Sequence, residues 1–148
     1  MMHILIWFGT SCMLLLLLGF APDPPGPATQ DEQKEFYKLV AMIRDIAAGK
    51  SAGVAESAIG RRAGLVSGGR LVNLREVATG EIRSVPLGDT SYHGVMIQAQ
   101  TNPSEDMGFV LLKTVKSDTS KVRFHSVVFQ KDSVGGYKIL LWHVSGSE

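Results

Sequence analysis

The sequence predicts an α+β domain in which an N-terminal helix, or a helix pair, packs on a curved antiparallel sheet of about five to six strands. Three observations support this prediction. Apolar residues recur at helical spacing across residues 30–48, whereas from Arg70 onward they alternate with a period of two. The connectors between the later apolar segments are short and rich in turn-forming residues, which favours antiparallel neighbours.

Residues 1–21 contain no Lys, Arg, Asp or Glu and are typical of an export signal or a signal-anchor. Their apolar run, residues 4–20, lies at the short end of what spans a bilayer. We therefore expect the protein to be exported to the periplasm or secreted, or to be anchored in the membrane by this segment if it is not cleaved. Cys12, the single cysteine, lies inside the segment, so a cleaved chain would have no disulfide and no thiol.

Residues 22–29 are rich in proline and predict a linker, and residues 30–148 have the length of one compact domain. All 15 Lys and Arg and all 14 Asp and Glu lie after residue 21, so the domain is nearly neutral. Such a charge balance does not provide the basic surface that nucleic acid binding requires. We therefore expect no nucleic acid partner.

The first helix has recognisable ends in the sequence. Thr29 and Glu32 have the spacing of a capping box, and Gly49 lies where a helix commonly stops. Between them Phe36 and Ile43 belong to the apolar stripe that predicts an amphipathic helix over residues 30–48. A second helix is predicted over residues 51–62, although its glycines weaken the pattern.

The remaining chain is predicted to form strands. Residues 70–78 and 81–86 flank a Thr-Gly turn signal and predict a hairpin, and four longer strands follow at residues 91–101, 107–115, 121–130 and 136–144. Both faces of the last strands are apolar, whereas a sheet with one solvated face alternates more cleanly. The helices can cover one face. The other face requires curvature of the sheet into a cone, a ligand or a second subunit.

Two short segments contain candidate site residues. In "GDTSYH", Asp89 could orient His93 as a general base beside Tyr92, although the same residues are also typical of a turn. Arg123 and His125 lie two apart on one predicted strand and share a face. They could form the mouth of a pocket, where Arg holds a carboxylate and His titrates near neutral pH, or they could reach solvent at a sheet edge.

Strand alternation divides the last strand into two sets. His143 is predicted to share a face with Tyr137 and Ile139, and Trp142 to point the other way into the core or a dimer interface. The histidines after residue 21 show no local spacing that suits a metal. We therefore predict no metal site and no cofactor.

The closing segment "FHSVVFQKDSVGGYKILLWHVS", residues 124–145, resembles the last strands of the nuclear transport factor 2-like, or cystatin-like, superfamily. Tyr137, Lys138, Ile139 and His143 carry the resemblance. It implies a cone with a pocket between sheet and helices, and often a homodimer through the outer face of the sheet. It implies no particular reaction, because the superfamily includes isomerases, dehydratases, cyclases and binding domains. The chain differs from the family pattern in one respect, since "LGDTSYH" leaves no room for a small helix before the long strands.

These patterns favour an exported domain that binds a small apolar or amphipathic molecule, or a protein partner, without catalysis. The ligand-binding candidates are Tyr92, Arg123 and His125. One alternative is a cofactor-free enzyme of the isomerase, dehydratase or cyclase kind, with Asp89, His93 or His125 as acid and base. The other is a structural module of the cell envelope whose second sheet face binds a protein.

Overall fold

The computed structural model describes residues 26–51, 53–82, 87–103, 105–116, 121–134 and 136–146, and the side chain of His93 lies outside this description. Its helices and strands are, in chain order, helix α1 (Gln30–Ala47), strand β1 (Ile59–Ser67), strand β2 (Arg70–Asn73), helix α2 (Leu74–Ala78), strand β3 (Tyr92–Gln100), strand β4 (Met107–Lys116), strand β5 (Val122–Lys131) and strand β6 (Tyr137–Gly146). The predicted α+β class and the four long strands are confirmed. In the described ranges no helix has both the length and the apolar character that crossing a bilayer requires. The predicted N-terminal signal or anchor lies outside them.

Helix α1 begins and ends where its sequence predicts. The Thr29 hydroxyl accepts the Glu32 backbone N–H at 3.3 Å, and the Glu32 carboxylate accepts the Thr29 backbone N–H at 2.9 Å. This is a complete capping box, which satisfies two of the backbone donors left free at the start of a helix. At the other end Gly49 has a φ of 66°, a conformation that glycine adopts readily.

The six strands form one sheet in the order β2-β1-β6-β5-β4-β3. Strands β3 to β6 follow one another in the chain through short connectors and pair antiparallel in sequence order, as predicted. Strand β1, however, pairs with β6 in parallel, so the sheet is mixed and not wholly antiparallel. The rule of short connectors gives no information about this pair, because most of the domain separates the two strands in the chain.

The predicted second helix, residues 51–62, is wrong. A single 3-10 turn, Glu56–Ala58, leads directly into strand β1. A Cβ atom at Gly60 would lie 2.8 Å from the Ile139 carbonyl oxygen, so the backbones of β1 and β6 approach each other closely there. Pairing with β6 therefore overrides the local helix preference of this segment, and glycine permits the approach.

The predicted hairpin of residues 70–78 and 81–86 is also wrong. The observed hairpin joins β1 to β2 through Gly68 and Gly69, both of which have positive φ. After β2 the Asn73 side chain accepts the Arg75 backbone N–H at 2.9 Å and caps helix α2. This short helix lies between the observed hairpin and the long strands, in a segment that was predicted to be a strand and not in residues 87–93, where the sequence was predicted to leave no room for a helix. Residues 83–86 lie outside the described residues.

The core lies between α1 and one face of the sheet, called here the inner face. Phe36 from α1 contacts Phe129 and Tyr137 edge to face, with ring centroids 5.5 Å apart in both pairs. At the rim, the Lys131 ammonium lies 2.6 Å from the Glu32 carboxylate and joins the end of β5 to the first turn of α1. These contacts fix the helix across the sheet.

Strand β6 changes face once along its length. Its pairing with β5 shifts register, and Leu140 is the extra residue. The bulge places Trp142 on the inner face with Tyr137 and Ile139, and all three are buried. His143 is exposed on the outer face, so the predicted grouping of His143 with Tyr137 and Ile139 is wrong. Trp142 lies in the core, which is one of the two locations predicted for it, the other being a dimer interface.

The outer face of the sheet remains apolar and accessible. Phe109 is 44% exposed and Met96 is 50% exposed. The outer-face cluster consists of the exposed apolar side chains on this surface, namely Leu71, Met96, Met107, Phe109, Phe124 and Leu141. The prediction that both faces of the late strands are apolar therefore agrees with the structure.

Candidate functional site

Four of the predicted site residues come together at one end of the sheet. Tyr92 begins β3, Arg123 is the second residue of β5, and Asp89 precedes β3 in a turn. His125 lies two residues further along β5 on the same inner face. His93 follows Tyr92 in β3, but its side chain lies outside the described residues, and its predicted role as a general base stays a prediction.

Arg123 connects β5 to the turn before β3. Its guanidinium carbon lies 4.4 Å from the ring centroid of Tyr92, a cation–π arrangement. Its other contact is with Asp89, whose carboxylate oxygen lies 3.9 Å from a guanidinium nitrogen. Arg123 thus joins β5 to the "GDTSYH" segment, in which both Asp89 and Tyr92 lie.

Asp89 is engaged by its own turn. One carboxylate oxygen accepts the Ser91 backbone N–H at 2.9 Å and the Ser91 hydroxyl at 2.7 Å. These hydrogen bonds, and secondly the charge of Arg123, lower the pKa of Asp89 below its usual value. Its two oxygens are therefore occupied by the turn and by Arg123, which corresponds to the predicted turn role.

His125 lies in the core and has no exposed surface, so it is neither at the mouth of a pocket nor in solvent. The Trp142 indole N–H donates to its Nδ1 atom at 3.2 Å, so the ring proton resides on Nε2. Burial, and secondly the charge of Arg123, lowers the pKa of His125 to about 4. The imidazole is therefore neutral at physiological pH.

The Nε2 atom of His125 is buried and has no hydrogen-bond partner within the described part of the chain. A buried donor of this kind costs about 1–3 kcal/mol when it is unpaired. The nearby Thr114 hydroxyl, also fully buried, donates to the Arg123 carbonyl oxygen at 3.3 Å. Among the described residues, the inner face thus contains Thr114 and His125 as buried polar side chains in a largely apolar core.

A half-open cleft of about 570 Å³ lies between the end of α1 and the start of β3. Its lining residues are Arg44, Asp45, Ala48, Lys50, Tyr92, Gly94 and Val95. Tyr92 is the only ligand-binding candidate from sequence analysis among them. The others were missed because they lie on a helix end and on a strand that are distant in sequence. The one sequence feature that could have indicated them is the group of charged residues Arg44, Asp45 and Lys50 around the helix stop at Gly49.

The two histidine side chains that the structure describes, His125 and His143, do not point toward a common site. His125 lies on the inner face and His143 on the outer face. In the ranges that the structure describes, no three His, Cys, Asp or Glu side chains lie close enough together to hold a metal ion.

No protein-family model matches the chain, and no curated protein matches it significantly. Solved structures do match. A protein of unknown function from the DUF3225 family of Pectobacterium atrosepticum has a TM-score of 0.55 and 11% identity, with 81% of this chain and 94% of that chain covered.

Two further structures are similar. A nuclear transport factor 2-like protein of unknown function from Silicibacter pomeroyi has a TM-score of 0.52 and 12% identity, with 81% and 99% of the two chains covered. A ketosteroid isomerase-like protein from Shewanella frigidimarina has a TM-score of 0.51 and 13% identity, with 77% and 94% covered. These likenesses show that the chain has the nuclear transport factor 2-like fold, which confirms the predicted resemblance.

Proposed function

We propose that this chain, which has the nuclear transport factor 2-like fold, is a non-catalytic binding domain that takes a small amphipathic molecule into the cleft between α1 and β3. The observation that carries the proposal is the cleft itself. Its volume of about 570 Å³ lies in the usual range for sites that bind small molecules. Its walls combine an aromatic ring and apolar side chains, Tyr92, Ala48 and Val95, with charged groups at the rim.

The surroundings of the candidate acid and base residues favour binding over catalysis. A general base must come within hydrogen-bond distance of a substrate proton, directly or through one water. His125 is sealed in the core and its Nδ1 atom accepts from Trp142, while Asp89 is held by Ser91 and Arg123. Neither residue lines the cleft. An isomerase-like or dehydratase-like reaction would need other groups.

The proposal is tested by blocking the cleft and measuring the binding of phenylpropionamide, a neutral aromatic probe, by ligand-observed NMR with the full chain. Val95→Trp places a bulky ring in the cleft, and we expect it to abolish the signal of the bound probe. Met96→Trp is the matched control, because it adds the same ring to the next residue of β3, on the outer face. Equal binding by the two variants would contradict the proposal, as would the absence of binding by the unmodified chain to both this probe and its carboxylate analogue phenylpropionate.

We also propose that the protein pairs with a second copy of itself through the outer-face cluster. Its six apolar side chains form a surface of the kind that marks interaction sites in soluble proteins. Two copies of the same face, related by a two-fold axis, satisfy the self-complementarity of a dimer. This surface lies opposite the cleft, so pairing leaves the cleft open.

Self-association is tested by light scattering of the full chain after size-exclusion chromatography. Phe109→Lys places a charge in the outer-face cluster, and we expect it to shift the dimer toward monomer. Tyr37→Lys is the control, because Tyr37 is an exposed aromatic residue on α1, away from the sheet face. A monomeric mass for the unmodified chain would rule the pairing out.

We propose that this domain works outside the cytoplasm, released or tethered by its N-terminal segment. The support is the uncharged apolar run of residues 4–20 followed by a proline-rich stretch. Fractionation of expressing cells, with mass spectrometry of the product, tests it. We expect a mature chain from which the N-terminal apolar segment has been cleaved, or an intact chain in the membrane fraction. An intact soluble chain in the cytosol would refute the proposal.

A further inference from the structure

We infer that the molecule bound in the cleft carries an anionic group, such as a carboxylate, on a compact aromatic or aliphatic body. This inference rests on the proposed binding function and names the chemical class of its ligand. It follows from the charges around the cleft, from the surroundings of Tyr92 and from the end of α1.

The rim of the cleft has two cations and one carboxylate. The Arg44 side chain contacts Asp45 through its Nε atom at 3.7 Å, and both side chains are about half exposed. The terminal nitrogens of the Arg44 guanidinium have no ion-pair partner among the described residues, and the Lys50 ammonium has none there either. An anionic group can therefore pair with Lys50 and with the fork of Arg44, a geometry that suits carboxylates.

A cationic ligand would find a less favourable site. The Tyr92 ring is the aromatic surface of the cleft, and Arg123 already lies over it at 4.4 Å from the centroid. A second cation near this ring would be repelled by Arg123, Arg44 and Lys50. The one carboxylate that lines the cleft, Asp45, is already paired with Arg44.

The end of α1 does not reverse this preference. The C-terminus of a helix carries a partial negative charge, which by itself favours cations. Here the last carbonyl oxygens are engaged: those of Arg44, Ile46 and Asp45 accept backbone N–H groups of Ala48, Gly49 and Lys50, respectively. The full charges of the two side chains then outweigh the partial charges that remain.

The apolar body of the ligand has a surface to contact in the same cleft. Val95 and Ala48 line it beside Tyr92, and Gly94 lies between Tyr92 and Val95 with a φ of 63°. This glycine marks a shift in the pairing of β3 with β4. A Cβ atom at Gly94 would meet nothing within 4 Å, so the wall is open at this point.

The inference is tested with three probes that share a phenyl ring on a three-carbon chain and differ in charge: phenylpropionate, phenylpropionamide and phenylpropylamine. Binding to the full chain is measured by ligand-observed NMR titration at low ionic strength. We expect phenylpropionate to bind about three- to tenfold more tightly than the neutral amide, and the amine to bind most weakly.

Two variants locate the effect. Lys50→Gln and Arg44→Gln should each remove most of the preference for phenylpropionate, measured as the ratio of the affinity for phenylpropionate to the affinity for phenylpropionamide. Lys34→Gln is the matched control, because Lys34 is an exposed lysine of α1 that does not line the cleft, and it should retain the preference.

The outcomes separate the inference from the proposed function. If the amide and the amine bind as tightly as phenylpropionate, the anion preference is wrong and the binding function stands. If both glutamine variants retain the preference, the assignment to Arg44 and Lys50 is wrong. If no probe binds at any concentration tested, the binding function and the inference fail together.

Discussion

The Trp142 indole N–H donates to the Nδ1 atom of His125 at 3.2 Å in the centre of the core. The two residues lie on neighbouring strands, and each is fully buried. Because Trp142 can only donate, the hydrogen bond requires Nδ1 to be unprotonated. The pair therefore fixes the tautomer of His125 and resists its protonation.

Acid should destabilise the protein through His125. Its folded pKa of about 4 lies below the usual value of 6.5, so between these values the unfolded chain binds a proton that the folded chain does not. Stability is thus unaffected above pH 6.5 and falls by about 3 kcal/mol as the pH drops to 4. Urea unfolding at a series of pH values measures this loss.

Two variants assign the effect of pH to His125. In His125→Phe most of the fall between pH 6.5 and 5 should disappear, because carboxyl groups whose pKa is lowered by folding reduce stability only as the pH approaches their usual values of 4.5 and 3.8. His143→Gln removes an exposed histidine and should retain the fall. A His125→Phe variant with the original pH slope would show that another group titrates.

Replacing Trp142, the hydrogen-bond donor, should destabilise the fold and raise the pKa of His125. Trp142→Phe leaves the Nδ1 atom of His125 buried without its donor, which should cost about 1–3 kcal/mol of unfolding free energy. The pKa of His125 should rise, because protonated Nδ1 no longer faces an N–H group. Chemical denaturation and NMR titration of the imidazole protons measure the two effects. An unchanged imidazole titration would mean that burial and the charge of Arg123 keep His125 neutral without the hydrogen bond.

Gly60→Ala should destabilise the pairing of β1 with β6. The added Cβ would lie 2.8 Å from the Ile139 carbonyl oxygen, so one backbone must move, at a cost of about 1–3 kcal/mol. Gly53→Ala is the matched control, because the nearest atom to its new Cβ, the Ala78 carbonyl oxygen, lies at 3.8 Å. Thermal unfolding of both variants checks this. Equal stability of the two would argue against the close approach of β1 and β6.

The contact of Arg123 with Tyr92 should appear as a small coupling energy. In a double-mutant cycle of Arg123→Gln and Tyr92→Leu, we expect about 0.5–1 kcal/mol between the two sites. The same cycle with Arg62→Gln, at an exposed arginine of β1, should give no coupling. If both cycles give the same value, the ring and the guanidinium do not interact in solution.

Local patterns were sufficient for much of this fold. The capping box at Thr29, the stop at Gly49 and the period-two alternation of the late strands each depend on neighbours in the chain. Such short-range signals predicted α1, the four long strands and their antiparallel pairing. They also predicted a second apolar sheet face, now seen as the outer-face cluster.

The sequence by itself therefore determined α1 and the four long strands β3 to β6, because propensity, capping and alternation act over a few residues. Only the tertiary structure decided the path of residues 53–78, because strand β1 pairs with β6 from the far end of the chain and Gly60 lets the two backbones approach. It also decided the bulge at Leu140, which brings Trp142 to His125. The cleft, too, was decided by the tertiary structure, because its walls come from the end of α1 and the start of β3, which are distant in the chain.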